Sequence, residues 1–153
     1  MKITIAWVGK TKEPAIQALT DEYLKRILHY VPIEGLALRD EAAILQTGGR
    51  GVSGRAPRAG GKSTLVLLDS RGKQFTSEDF ARFLGDYQDR NPLPLVFAVG
   101  PADGFSDAAR DAAQHLVSLG KMTLAHELAR VVLLEQIYRA FTILKRHPYH
   151  CGH

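Results

Sequence analysis

Near the start of the chain, ITIAWVG (residues 3–9) is followed by PAIQALTDEYLKRILHY (residues 14–30), and this pair sets the pattern of the whole fold. The first stretch is a short apolar run closed by glycine, which is typical of a buried strand. In the second, Ile16, Leu19 and Tyr23 recur at the spacing of one helix face. The pair therefore predicts a β-strand that leads into an amphipathic α-helix.

Further strand-like stretches are each followed by a helix-like one. They are STLVLLDSRG (63–72) before TSEDFARFLGDY (76–87), PLVFAVGPADG (94–104) before SDAARDAAQHLVSL (106–119), and KMTLAHE (121–127) before LARVVLLEQIYRAFTILKR (128–146). Ser77 and Ser106 are expected to cap two of these helices. Strands without polar alternation, each followed by a helix, predict an α/β fold with a mainly parallel sheet and helices on both faces.

The composition predicts one globular domain spanning residues 1–153. A length of 153 residues and 45% hydrophobic content suit a single core. No apolar run is long enough for a membrane span and the first residues lack a secretory cleavage site, so we expect a cytoplasmic protein. The one cysteine cannot form an internal disulfide. A net charge of +4 is compatible with a polyanionic partner such as RNA but does not require one.

A glycine- and arginine-rich stretch, TGGRGVSGRAPRAGGK (47–62), interrupts the pattern. It contains no large apolar residue except Val52 and cannot bury enough surface to order itself. We predict a mobile basic loop. It is either a plain solvated insertion or an arm that contacts phosphates through Arg50, Arg55 and Arg58.

Several familiar ligand motifs fail on spacing or context. AGGKS (59–63) lacks the earlier glycine of a phosphate-binding P-loop and leads into a strand. GPADG (100–104) is not G-x-G-x-x-G, and HELAR (126–130) has arginine where a zinc protease has its second histidine. The tail HPYHCGH (147–153) contains metal-ligand residue types, but no second cluster completes a site, so we expect no metal.

Three stretches that follow strands contain small residues: LLDSRG (67–72), AVGPADG (98–104) and SLGKMTL (118–124). Each alone is compatible with a tight turn. In open α/β sheets, however, ligands bind outside the carboxyl ends of the strands. Together the stretches predict a pocket with backbone donors and acceptors, few carboxylates and apolar walls, which suits a flat heteroaromatic ligand. The side chains expected to form those walls are Leu68, Leu119, Met122 and Leu124.

The last part of the chain, KMTLAHELARVVLLEQIYRAFTILKRHPYH (121–150), closely resembles the C-terminal signature of the RlmH family. Further matches are MKITIAWVGK (1–10), DEYLKR (21–26), LLDSRGK (67–73) and VGPADGFS (99–106), so the resemblance spans nearly the whole chain. RlmH proteins are SPOUT-superfamily methyltransferases that modify N3 of a pseudouridine in 23S ribosomal RNA. The resemblance therefore implies an S-adenosylmethionine-dependent rRNA methyltransferase.

The resemblance also implies a particular topology and a cofactor site. The C-terminal segment would thread through a loop to form a deep trefoil knot, an exception to the rule that connections do not thread. The protein would act as a homodimer, and the three loops would bind S-adenosylmethionine. The cofactor contacts that carry over from the family are Leu68, Gly100, Leu119, Gly120, Lys121, Met122, Thr123 and Leu124.

Three residues are expected to act on the substrate. The family's arginine in YRAF falls on Arg139, and its terminal tyrosine and histidine fall on Tyr149 and His150. Without the resemblance, Arg139 would be read as one half of a salt bridge on a helix face. We hypothesise that His150 removes the N3 proton, that Tyr149 stacks on or positions the base, and that Arg139 stabilises the developing charge.

The expected partners are 23S rRNA in the assembled ribosome and a second protomer. The final helix contains VVLLEQIYRAF (131–141), which has more apolar surface than one sheet face needs, so we expect it to form the dimer interface. The chain departs from the family pattern at Pro101, where a second glycine is common, at Cys151–His153, and at 47–62, which replaces much of a helix. Two alternatives stay open: methylation of another RNA, and a non-catalytic ribosome-binding protein.

Overall fold

The computed structural model describes residues 1–47 and 63–150, with the side chain of His150 excepted. The predicted basic loop, with Arg50, Arg55 and Arg58, therefore lies outside the described residues from residue 48 onward, and so do Cys151, Gly152 and His153. At its described borders, the Ser63 hydroxyl donates to the Thr47 carbonyl at 2.6 Å. The mobility of this loop stays a prediction.

Five parallel strands form the sheet, as the continuous apolar stretches predict. The strands are β1 (Ile3–Val8), β2 (Ile33–Leu38), β3 (Thr64–Gln74), β4 (Leu95–Val99) and β5 (His115–Ser118). Their order is β2-β1-β4-β3-β5, and every neighbouring pair is parallel. The predicted α/β class with a mainly parallel sheet is confirmed.

Helices cover both faces of the sheet. They are α1 (Pro14–Ile27), α2 (Glu41–Thr47), α3 (Ser77–Arg90), α4 (Asp107–Ala112) and α5 (His126–Leu144), and a 3₁₀ turn at Pro148–His150 follows. Strand residues on one face pack with α1, α3 and α5, and those on the other face pack with α2 and α4. The chain therefore has two core layers, one on each face of the sheet, as a parallel sheet covered on both faces requires.

Local assignments differ from the prediction in the second half of the chain. The stretch 106–119 is not one helix, because α4 ends at Ala112 and β5 follows at once. Gln114 starts that strand by exchanging hydrogen bonds with the Leu65 backbone, through its side-chain oxygen (2.7 Å) and its own N–H (3.0 Å). The stretch 121–127 is not a strand, since it is a loop that leads into α5. Helix α3 is capped by Thr76, not Ser77, whereas Ser106 caps α4 as predicted.

Strand β3 pairs irregularly with its neighbour β5. Val117 pairs first with Leu68 and then with Lys73, so the intervening residues of β3 leave the regular ladder. A Cβ placed on Gly72 would come within 2.5 Å of backbone atoms of Leu116 and Val117. The two backbones therefore touch at Gly72, where only glycine fits. The trefoil knot implied by the resemblance stays a prediction.

Helix α5 buries most of its apolar surface within the chain. It packs against both α1 and α3. Its core side chains are at most 1% exposed: Leu133, Leu134, Ile137, Ala140 and Phe141. Only Leu128 near its start and Leu144 at its end are large exposed apolar residues of this helix. The middle of the helix therefore uses its apolar surface within the chain, against two helices as well as the sheet, and both the homodimer and its interface on α5 stay predictions.

Candidate functional site

A cavity of about 300 Å³ lies at the carboxyl ends of β4 and β5, beside the part of β3 that follows its pairing with β4, and at the start of α5. It is lined by all eight residues that the family resemblance assigns to the cofactor: Leu68, Gly100, Leu119, Gly120, Lys121, Met122, Thr123 and Leu124. The stretches 67–72, 98–104 and 118–124 thus come together at one edge of the sheet, as the sequence predicts. Ala129, at the end of the first turn of α5, also lines the cavity.

The cavity lies at a switch in the direction of the chain connections. From β3 the chain passes to α3 on one face of the sheet, and from its neighbour β4 it passes to α4 on the opposite face. The two connections separate above the strand ends and leave a crevice between them. Such switch points are where open α/β sheets bind ligands.

A buried ion pair, which the sequence did not single out, forms part of the cavity wall. The Asp69 carboxylate, 3% exposed, accepts a hydrogen bond from Nε of Arg110 at 2.8 Å and another from the Arg71 N–H at 2.9 Å. The hydrogen bond to Asp69, followed by the one to Asp107, raises the pKa of Arg110 despite partial desolvation. Asp69 is therefore held and neutralised by Arg110. Asp69 and Asp103 are the two acidic residues among those that line the cavity, in keeping with the expectation of few carboxylates.

The β4 connection forms a tight turn over the cavity. The N–H of Gly104 donates to the Pro101 carbonyl at 2.9 Å, and Gly104 has a φ of 81°. Pro101 contributes no N–H, so the backbone donor that a glycine would supply is missing there. A Cβ on Gly100 would lie 3.0 Å from the Phe105 ring. The turn is thus fixed by its own hydrogen bond and by packing on Phe105.

The β5 connection is held by a serine hydroxyl. Ser118 accepts from the Gly120 N–H at 3.1 Å and donates to the Gly120 carbonyl at 3.0 Å, while Gly120 has a φ of 135°. Beyond it, Met122 is 86% exposed. Met122 lines the cavity, but in the single chain its side chain is mostly open to solvent, so its role as an apolar wall stays a prediction.

Two of the predicted catalytic residues lie far from this cavity. Arg139 follows Ala129 by ten residues on α5, a distance of about 15 Å along the helix axis. Within the chain, Arg139 donates to Glu135 at 2.7 and 2.9 Å, the helix-face salt bridge that the residue alone suggests. Its guanidinium lies 5.1 Å from the centre of the Tyr149 ring. The structure therefore joins Arg139 to Tyr149 but not to the cavity.

Tyr149 sits in a partly buried aromatic cluster. Its ring meets Tyr138 edge-on at 4.7 Å, and its hydroxyl donates to Glu135 at 3.2 Å. Burial, and then interactions with Tyr23 and Glu135, raise the pKa of Tyr149 well above its usual value. The hydroxyl therefore stays protonated at neutral pH and can donate but not act as a base. The side chain of His150 lies outside the described residues.

Arg130 is a buried cation that sequence reasoning missed. It is 1% exposed, and its guanidinium lies 4.1 Å from the centre of the Trp7 ring. Among the described residues, none hydrogen-bonds its three side-chain nitrogens or Nε1 of Trp7. Desolvation lowers the pKa of Arg130. Helical spacing placed this position within α5, but no local pattern distinguishes a buried arginine from an exposed one.

Residues 1–47 and 63–150 contain neither a group of metal ligands nor a membrane-spanning helix. No group of three or more histidine, cysteine or acidic side chains is placed to hold a metal ion in these ranges. Within the same ranges, no helix has the length and apolar character needed to cross a membrane.

The sheet order, the cavity at the strand ends and the chain's sequence identify its class. Residues 1–150 match the family model described as predicted SPOUT methyltransferase. Two solved structures share the fold. The SpoU methyltransferase AviRb from Streptomyces viridochromogenes, in complex with AdoMet, aligns over 90% of this chain and 57% of its own (TM-score 0.51, 15% identity). A probable methylase family protein from Haemophilus influenzae Rd KW20 aligns over 98% and 70% (TM-score 0.54, 8% identity).

Curated relatives place the chain more narrowly. It is 53% identical over 154 residues to ribosomal RNA large subunit methyltransferase H of Koribacter versatilis strain Ellin345, covering 100% of both chains. The protein of the same name from Geobacter sp. strain M21 is 43% identical over 98% of this chain and 99% of its own. The chain therefore belongs to the RlmH family of SPOUT methyltransferases, as the C-terminal signature predicts.

Proposed function

We propose that the protein transfers a methyl group from S-adenosylmethionine to N3 of a pseudouridine in a 23S rRNA hairpin loop of the assembled ribosome. The proposal follows the name of its full-length relatives. The observation that carries it is the convergence of all eight family cofactor positions on one cavity. Action on the ribosome places the protein in the cytoplasm.

The cavity fits the proposed cofactor in size and chemistry. Its volume of about 300 Å³ lies at the lower end of the range for small-molecule sites. Leu68, Leu119 and Leu124 offer apolar surface to an adenine ring, and the backbone of the three loops offers hydrogen-bonding groups. Because Asp69 is paired with Arg110, its buried carboxylate is already neutralised, whereas Asp103 in the same lining is exposed to solvent.

The chemistry asks the chain mainly to position groups and to manage one proton. S-adenosylmethionine, when bound, supplies a sulfonium-activated methyl group. His150 is proposed to take the N3 proton, because an imidazole titrates near neutrality and the imide-like N3–H is weakly acidic. Tyr149, whose hydroxyl stays protonated, stacks on or positions the base, and Arg139 stabilises the charge that develops on the ring.

A second protomer is proposed to complete the site. Arg139 and Tyr149 lie at the end of α5 remote from the cavity, about 15 Å along the axis from Ala129. Methyl transfer needs donor and acceptor atoms within about 3.5 Å. A homodimer in which the C-terminal end of one chain faces the cavity of the other satisfies both conditions.

Filling the cavity is expected to abolish cofactor binding. Ala102 lines the cavity on the exposed β4 connection, so an Ala102→Trp substitution would occupy its space with little effect on the core. We expect S-adenosylmethionine affinity, measured by calorimetric titration, to fall at least about a hundredfold. Ala108→Trp, an exposed site on α4 outside the cavity lining, is the matched control. Parent protein that folds but shows no binding would exclude the enzyme reading.

Removing the proposed base is expected to change the pH profile. In the parent protein, turnover should fall about tenfold per pH unit below about pH 6.5, because the base must be neutral to accept a proton. His150→Ala should lower turnover at neutral pH about a hundredfold and remove this acid limb. His147→Ala, three residues earlier in the same tail, should keep it. Undiminished turnover of His150→Ala across the pH range would eliminate His150 as the base.

Two experiments distinguish the alternatives of another RNA target and a non-catalytic role. Methyl transfer to free RNA or to another ribosomal site, with no transfer to ribosomes from a strain lacking the 23S modification, would favour a different RNA target. Ribosome binding without cofactor binding would favour a non-catalytic role, for which the missing N–H at Pro101 is the structural argument.

A further inference from the structure

The end of α5 holds an arginine in an unfavourable backbone conformation. The His147 N–H donates to the Thr142 carbonyl at 2.8 Å and the Arg146 N–H donates to the Ile143 carbonyl at 3.1 Å, the hydrogen-bond pattern of a Schellman motif. Arg146 has a φ of 56°, the only positive value for a non-glycine residue in the described ranges. Glycine is usual at this position because it has no Cβ. The chain therefore carries strain at Arg146 that glycine would relieve.

The charges at this helix end are available to a ligand. Lys145 and Arg146 are both exposed, and neither forms an ion pair with any residue that the structure describes. Three other arginines on the long helices differ, since Arg26, Arg82 and Arg139 each pair with a carboxylate of their own helix. Arg90, at the end of α3, is like Arg146 exposed and without an ion pair among the described residues, but its backbone is not in the left-handed region. Arg146 thus combines backbone strain with a guanidinium that forms no ion pair among the described residues.

An aromatic residue follows these charges closely along the chain. The 3₁₀ turn that begins two residues after Arg146 carries Tyr149, whose ring packs on Tyr138. The guanidinium of Arg26 lies 5.7 Å from the Tyr138 ring centre, and that of Arg139 lies over Tyr149. Basic groups interleaved with aromatic rings are typical of surfaces that bind unpaired nucleotides.

We propose that Arg146, with Lys145 beside it, contacts phosphate groups of the rRNA and positions the target loop against Tyr149. This inference rests on the rRNA methyltransferase function proposed above. A simpler role is a cation that stabilises the C-terminal end of the α5 dipole. The two roles make opposite predictions, because a dipole role needs Arg146 for stability and a phosphate role needs it for substrate binding.

The test is Arg146→Gly, assayed on ribosomes from a strain that lacks the modification. We expect the melting temperature to stay equal or to rise by up to about 4 °C, since the strain is relieved. The KM for ribosomes should rise about tenfold with kcat within about twofold, because a phosphate contact acts equally on ground and transition states. The slope of log affinity against log salt should become shallower by about one.

Two controls make the result specific. Arg146→Lys retains the charge and should keep KM within about threefold of the parent. Arg39→Gln removes one exposed positive charge directly after β2, a strand that does not line the cavity, and should leave KM and the salt slope near the parent values. A KM and salt slope for Arg146→Gly no different from those of Arg39→Gln would overturn the inference, as would a lower melting temperature with unchanged KM.

Failure of the proposed function gives a different result. If the parent protein binds ribosomes but transfers no methyl group, the proposed function is contradicted. In that case a shallower salt dependence of ribosome binding by Arg146→Gly, measured by co-sedimentation, would still support the phosphate contact.

Discussion

Replacing Gly72 with alanine is expected to destabilise the protein by at least about 3 kcal/mol, or to prevent it from folding. The added Cβ would lie 2.5–2.6 Å from three backbone atoms of Leu116 and Val117. Backbone atoms cannot move aside as a side chain can, so the irregular pairing of β3 with β5 around Gly72 must shift. A loss of this size lowers the melting temperature by about 6–12 °C in a chain of this length.

Gly85→Ala provides the matched control. Its Cβ would meet only the end of the Leu144 side chain, at 2.9 Å, and that side chain is 37% exposed and able to turn away. Gly85 lies inside α3, where alanine is favoured over glycine by about 1 kcal/mol. We expect its melting temperature to equal or exceed that of the parent, measured by circular dichroism. A Gly72→Ala protein as stable as Gly85→Ala would mean that the backbones of β3 and β5 are not in close contact at Gly72.

The sequence predicts the parts of the fold that depend on local pattern. The runs around Ile5, Leu67 and Phe97 are continuously apolar because these strands are covered on both faces. Strand β2 is not predicted, because it lies at the sheet edge, exposes Glu34 and Gly35, and so lacks a continuous apolar run. Strand β5 is not predicted either, because it has only four residues and begins just three positions after the alanine-rich helix α4 ends. Short or half-exposed strands leave too little periodicity to recognise.

The cavity could be predicted because it follows from a rule about strand ends, but several of its contacts could not. Glycines at Gly100 and Gly120 mark connections where the backbone turns or packs closely, and such signals are local. The pairing of Asp69 with Arg110 joins residues 41 positions apart, and the close contact at Gly72 depends on which strand lies beside β3. These features arise from the tertiary arrangement, to which no spacing in the chain corresponds.

Two inactive variants are expected to restore activity to each other in a mixed dimer. Ala102→Trp blocks the cavity but leaves Arg139 and Tyr149 intact, whereas Arg139→Ala removes the charged group but leaves the cavity open. Each homodimer should have less than about 1% of parental turnover, because cofactor binding or charge stabilisation is lost at both sites. In a heterodimer, one composite site combines the open cavity of one chain with Arg139 of the other.

The expected activity of a purified heterodimer is about half that of the parent, since one of the two symmetry-related sites is intact and the other carries both lesions. The variants would be co-expressed with different affinity tags, purified through both tags, and assayed for methyl transfer to unmodified ribosomes. Analytical ultracentrifugation of the parent protein checks that the dimer exists. A heterodimer doubly substituted on one chain, with the other chain unaltered, has its two lesions in different sites and should be inactive, so it serves as the control.

This pair of heterodimers distinguishes a composite site from one built within a single chain. If the site lies within one chain, the doubly substituted heterodimer keeps one intact site and the complementing heterodimer keeps none, which is the reverse of the expected result. The reversal would require Arg139 and Tyr149 to reach the cavity of their own chain across the length of α5 that separates them, about 15 Å along the axis. Because α5 is packed between α1 and α3 over most of that length, such a movement would have to unfold the end of the helix. The composite dimer needs no such change, which is why we expect complementation.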